Sequence, residues 1–128
     1  MKKFLIILII LIVAGGLWAS LGRGTRIKQS AEQSVGNGNT EFVTVTDSGY
    51  SPNTLTIKAG TTVTFKNESG IAIWPASDPH PIHTDYPEFD ARRPYEQGAS
   101  YSFTFERKGQ WKYHDHLSPN RRGLIIVE

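Results

Sequence analysis

The stretch "SPNTLTIKAGTTVTFKN", residues 51–67, contains two short runs rich in β-branched residues, joined at "KAG". In the second run Val63 and Phe65 stand two apart with threonine and lysine interleaved, the period-two pattern of a strand with one buried face. Gly60 supplies the backbone freedom of a hairpin-type turn. Outward from this stretch, "FVTVT", "SYSFTFE", "QWKYHDH" and "RGLIIVE" are runs of the same kind, and "RKGQ" places Gly109 as "KAG" places Gly60. Tyr101, Phe103 and Phe105 fall on one side of their run, where they should share a core with Val63 and Phe65. No amphipathic helical stretch of useful length interrupts the series. The expectation is an all-β fold over residues 41–128, two sheets packed as a small Greek-key sandwich.

One segment breaks the rhythm. Residues 67–100 carry five prolines and few strand-like runs, yet Trp74, Tyr86, Phe89 and Tyr95 argue for packed order, so this reads as a site-forming loop. Ahead of the β region, residues 23–40 are polar and rich in Gly, Ser, Asn and Gln, the composition of a flexible linker. Residues 1–22 form a different object. "MKK" precedes an uncharged apolar run close to the roughly 20 residues a helix needs to cross a bilayer, a membrane anchor or the apolar part of a signal segment. The expected location is therefore extracytoplasmic, periplasmic or at the cell surface: tethered if the segment stays, secreted if it is cleaved.

Composition narrows the chemistry. The 128 residues include no cysteine, and the one methionine is the first residue, so disulfides, thiolate or thioether ligands and a lipidated cysteine are all excluded. A net charge of +2 with scattered bases gives no nucleic-acid footprint. No Ser/His/Asp nucleophile arrangement, phosphate-cradling glycine loop or paired-carboxylate motif stands out.

The four histidines do. All fall in two tight pairs, His80 and His83 in "HPIH", His114 and His116 in "HDH". Imidazole is the commonest metal ligand and suits copper and zinc. Strand alternation puts Trp111, Tyr113 and Asp115 on one side of "WKYHDH", and His114 with His116 on the other, off the core face. Two ligand sets follow. Either His83 joins His114 and His116, or His80, Asp115 and His116 meet at the loop end; a bulge at the strand end would merge the two. Asp85 is a candidate acceptor to orient His83 or His114. The remaining charges of "TDYPEFDARRPYE" read as a solvated loop with surface ion pairs, and Arg121 and Arg122 of "PNRRG" as a solvated turn.

With these residues in place, the chain resembles a known family. "SPNTLTIKAGTTVTFKN", a "PH" loop, an aromatic strand ending in a ligand position and "GLIIVE" are together similar to the cupredoxins, small copper-binding β-sandwiches. "PHPIH" is similar to the family's "PHNVH" segment, whose first histidine is a copper ligand, a role the resemblance assigns to His80. The chain departs from the blue-copper pattern elsewhere. The cysteine position holds Asp115, the second histidine position Ser118 and the methionine position Arg121, and "IAIWPASD" is inserted ahead of His80. Multicopper oxidases of the same superfamily carry "HPxHxH" and "HCH" segments; here His80 and His83 are kept with Asp85 in third place, and "HDH" keeps His114 and His116 without the cysteine.

The resemblance implies copper, Cu(II) ahead of Zn(II), in a pale site without thiolate. It implies copper handling or electron transfer, with a redox or copper-donor protein as partner and an oligomer as one arrangement. A type-2-like copper oxidase or reductase, or a metal-free interaction module, are the alternative functions.

Overall fold

A computed structural model describes residues 38–128. The anchor at 1–22 and most of the linker at 23–40 lie outside the described residues. Among the described residues, no helix is long and apolar enough to cross a membrane.

Eight strands make two sheets. The first has the order β2 (Gly49–Ser51), β1 (Thr40–Thr46), β4 (Thr61–Asn67), β6 (Ser100–Phe105). The second has the order β3 (Thr54–Ile57), β8 (Ser118–Val127), β7 (Gly109–Asp115), β5 (Pro75–Ser77). Each sheet contains one parallel pair, β1 with β4 and β3 with β8, and the other pairings are antiparallel. The all-β sandwich expected from alternation is therefore present, with β1 starting at Thr40, the final residue of the linker reading.

Alternation works as read in the first sheet. Val43 and Val45 of β1, Val63 and Phe65 of β4 and Phe105 of β6 are all fully buried. On the outer face, the hydroxyls of Thr62 and Thr104 meet at 2.8 Å, as do those of Thr64 and Ser102, cross-strand pairs that reinforce the register. The second sheet adds Ile57, Tyr113, Ile125 and Val127 to the same core.

Gly60 and Gly109 do not turn hairpins. Gly60 (φ 88°) joins β3 to β4 and Gly109 (φ 140°) follows β6 into β7, and both connections pass from one sheet to the other. The positive φ lets the chain leave one layer and enter the next, a corner that a sandwich requires and that alternation cannot distinguish from a hairpin.

The long segment after β4 holds a strand that its prolines conceal. β5 pairs with β7, matching Ala76 with His114, and its other edge is covered by residues 89–91: Ser77 N–H donates to Phe89 C=O (2.8 Å) and Ala91 N–H to Pro75 C=O (2.9 Å). Asn67, 1% exposed, ties the two ends of the segment together. Its amide nitrogen donates to the carbonyls of Ile71 and Tyr95, and its Oδ1 accepts from the N–H and hydroxyl of Ser69. Tyr86 and Phe89 are buried, Phe89 stacking on Phe65 at 5.6 Å, so the segment is packed as its aromatics suggested.

The "PNRRG" turn reading is corrected. These residues lie inside β8, which begins at Ser118. In unbroken register Asp115 would face Arg121; His114 pairs with Arg122, but Asp115 pairs with Ser118, so Pro119, Asn120 and Arg121 are left out of the ladder. Just below this break, Tyr113 faces Gly123, and a Cβ there would overlap the phenol ring. Gly123→Ala is therefore expected to destabilise the fold by about 2 kcal/mol or more, the scale of overpacking a filled core. Urea unfolding of the variant beside the parent measures it; an unchanged midpoint would mean that the Tyr113 ring moves aside freely.

Candidate metal centre

The four histidines come from two places that the β5–β7 pairing brings side by side. His80 and His83 sit in the loop after β5, and His114 and His116 at the end of β7. The loop is a closed unit: Asp78 N–H donates to Lys112 C=O (2.9 Å), His83 N–H to Pro79 C=O (2.8 Å) and Asp85 N–H to Asp78 C=O (2.9 Å). His83 adopts φ 52°, in the left-handed region, and its carbonyl accepts from the Ser77 hydroxyl at 3.2 Å. A non-glycine residue held there by its neighbours is characteristic of a position selected for where its side chain points.

One ring nitrogen from each of His80, His83, His114 and His116 lies within 4.8 Å of the others. His80 Nδ1 is 3.2 Å from His114 Nε2, and His116 Nδ1 is 3.1 Å from His83 Nε2. A tetrahedral ion with bonds of about 2.0 Å to nitrogen sets its ligand atoms about 3.3 Å apart, so these two separations already have the right size. The two ligand sets left open by the sequence are thus joined in one group of histidines.

Two carboxylates set the orientation of the inner rings. His114 Nδ1–H donates to Asp78 Oδ1 at 2.7 Å, and His83 Nδ1–H to Asp90 Oδ2 at 2.9 Å. Each bond fixes the tautomer and turns the bare Nε2 lone pair toward the other histidines. The carboxylates are themselves held: Arg122 donates to Asp78 Oδ2 (3.1 Å), while the Trp74 indole (2.7 Å) and the Arg92 backbone N–H (2.9 Å) donate to Asp90 Oδ1. Burial alone would raise the Asp90 carboxyl, but the bonds from Trp74, His83 and Arg92 outweigh it and hold it below the ordinary value.

Two of the rings are biased toward the neutral form. His114 is lowered from the usual imidazole value by its burial, against an opposing pull from Asp78, with His83 and His80 lowering it further. His116 is lowered by burial and then by His83 and His80. Neutral rings crowded together are the protonation state that ligates a metal.

Asp115 is placed elsewhere. It is fully buried, its Oδ1 accepting from the backbone N–H groups of Trp74 and Leu117, both at 3.0 Å, so it braces the turn that carries His116 and stands outside the four-histidine group. His114 also departs from expectation, since it is fully buried on β7, between β5 and β8, rather than lying on an open face. Asp85 is exposed and is not among the partners of His83 or His114; Asp90 and Asp78 take that part. The strand β5 carries the chain up to Asp78 beside His114, and the bridge between Ala76 and Asp90 brings Asp90 beside His83, neither of which spacing alone reveals. Trp74 was legible only as an aromatic; its ring lies 4.5 Å from that of His116. The rest of the charged loop behaves as read, Glu88 and Arg107 forming an exposed pair at 3.8 Å.

Comparison with known proteins agrees with this fold. The purple cupredoxin from Nitrosopumilus maritimus matches at 24% identity and TM-score 0.57, covering 69% of this chain and 99% of its own. A reduced amicyanin with a proline-to-phenylalanine substitution matches at 25% identity and TM-score 0.61, covering 74% of this chain and 87% of its own. A Cu(I) amicyanin with a methionine-to-alanine substitution matches at 24% identity and TM-score 0.60, covering 70% and 82%. No curated protein matches the sequence. The family model for the cupredoxin-like domain matches residues 8–127, nearly the whole sequence. Together with the two-sheet sandwich, that match shows that the chain belongs to the cupredoxin-like domain family.

Proposed function

We propose that this domain binds one copper ion through four imidazoles, His80 Nδ1, His83 Nε2, His114 Nε2 and His116 Nδ1, and serves copper handling or redox on the outer side of a membrane. The observation that carries the reading is the convergence of those nitrogens within 4.8 Å, two of the rings fixed by carboxylates. The all-nitrogen donor set suits Cu(II), with Zn(II) as its competitor. Bound copper would supply a one-electron couple. The chain's own residues present lone pairs from a braced loop and strand, and Asp78 and Asp90 fix the tautomers. The membrane tether is part of the proposal and is supported by the apolar composition of residues 1–22. A second reading, a copper oxidase or reductase, draws on the exposure of His80, which leaves one side of the group open to small molecules. Turnover with a small reductant and oxygen tests it.

Titration of the apo protein with Cu(II) is expected to saturate at one equivalent, with an EPR spectrum split by nitrogen ligands and no intense thiolate-to-copper colour. Saturation without nitrogen splitting would overturn the site.

The ligand set gives a sharper test. His83→Ala and His114→Ala should each weaken copper binding by about ten-fold or more, whereas Asp115→Asn, which keeps the Oδ1 acceptor, should change it much less. Calorimetry on the three variants decides, and equal losses in all three would restore Asp115 as a ligand.

Affinity should also depend on pH in a definite direction. His114 and His116 are held below the ordinary value of about 6.5, so neither needs to lose a proton above it, and affinity should be level from neutral pH upward. Below about pH 6 protons compete for the ring nitrogens and affinity should fall. Chelator competition across that range reads the profile, and a rise in affinity on acidification would exclude imidazole ligation.

A further inference from the structure

Beneath the histidines, on the core side of β7, lies a second polar group that the copper reading does not use. Tyr50 Oη, Tyr113 Oη, Asp115 Oδ2 and Arg121 Nη1 are all buried, and among the described residues none has a hydrogen-bond partner. They belong together. The Tyr50 and Tyr113 rings meet edge to face at 4.7 Å, and Arg121 Nη1 stands 3.8 Å from Asp115 Oδ2. The register break in β8 turns Arg121 inward to a side-chain exposure of 15%, beside a carboxylate at 0%.

A separation of 3.8 Å is an ion-pair contact too long for a direct hydrogen bond, so both atoms keep their capacity for a hydrogen-bond partner. Four buried polar atoms left unpaired would each cost about 1–3 kcal/mol, together comparable to the whole stability of a small domain, so they require partners. Their chemistry specifies the partner. The carboxylate oxygen accepts, the guanidinium nitrogen donates and each phenol hydroxyl can do both. The group as a whole fits a small molecule that both donates and accepts. Buried water is common at about one per 27 residues and usually makes about three hydrogen bonds.

We propose that ordered water joins Tyr50, Tyr113, Asp115 and Arg121, and that through Asp115 the water positions the turn carrying His116. The link is direct: Asp115 Oδ2 is the atom left to the water, its Oδ1 accepts from the N–H groups of Trp74 and Leu117, and Trp74 C=O accepts from His116 N–H. The water site stands without the copper reading; the effect on His116 as a ligand rests on it.

Tyr50→Phe removes one hydroxyl and breaks no hydrogen bond between protein groups, so it isolates the water. In urea unfolding of the full chain, Tyr50→Phe is expected to lower the folding equilibrium constant by about five-fold, the scale of a satisfied buried hydroxyl. Adding Tyr113→Phe should cost less than the sum of the two single changes, because both lose the same water. Cu(II) EPR of Tyr50→Phe should show altered nitrogen splitting. A variant as stable as the parent, or more stable, would mean that no water joins these groups and would overturn the proposal. Lost stability with an unchanged EPR spectrum would overturn the positioning of His116. Absence of copper binding by the parent would instead count against the copper reading, leaving the unfolding cycle to decide the water.

Discussion

Ring nitrogens brought within a few ångströms of one another resist both protonation and random orientation, and most of the local structure answers that constraint. Any proton added to the group must be accommodated beside other rings, with His114 enclosed between strands. The two hydrogen bonds to Asp78 and Asp90 are the response. Each takes an N–H of its ring and leaves the Nε2 facing inward, so these two rings are directed before anything binds. Arg122, Trp74 and the Arg92 N–H then hold the carboxylates, which extends the site well beyond the four rings.

The strand break at His114 and Asp115 has equal weight, because it lets the backbone serve two purposes within three residues. His114 completes the ladder against β5 and β8, Asp115 turns into the interior, and His116 leaves the strand, with its N–H donated to Trp74 C=O at 2.8 Å. The position that the blue-copper resemblance assigns to cysteine thus carries a carboxylate that braces two backbone N–H groups. At that depth the Asp115 carboxyl has the Arg121 guanidinium beside it, 3.8 Å from its Oδ2.

The sandwich was legible because a two-residue alternation survives in Val63, Phe65, Tyr101, Phe103 and Phe105 regardless of what surrounds them. The histidine pairs were legible as chemistry because all four occur in two short segments. Their division into competing ligand sets was not resolved by the sequence, since alternation assumes a regular strand and "HDH" stands where the ladder slips. Asp78 and Asp90 escaped for a different reason. Their relation to His114 and His83 runs through pairing across β5, a strand that its flanking prolines disguise, whereas Asp85 simply follows His83 by two residues in the chain. "PNRRG" looked like a turn because it has turn-forming residues; its first three residues are released from the β8 ladder, and Arg122 and Gly123 pair within it.

The pairing of β3 with β8 has a consequence for how the protein reaches this state. Thr54 lies beside Leu124, so one edge of the second sheet closes only after a very long loop of chain has been gathered. Topologies dominated by such distant partners fold on the order of milliseconds to seconds, far slower than helical domains of similar size. During that interval the two histidine segments, 34 residues apart at His80 and His114, are separate dipeptide-like chelators with no common geometry. On the copper reading, selectivity among metals would be acquired late, with the closing of the sheet, and the order of folding and metal arrival would become part of which ion the protein holds.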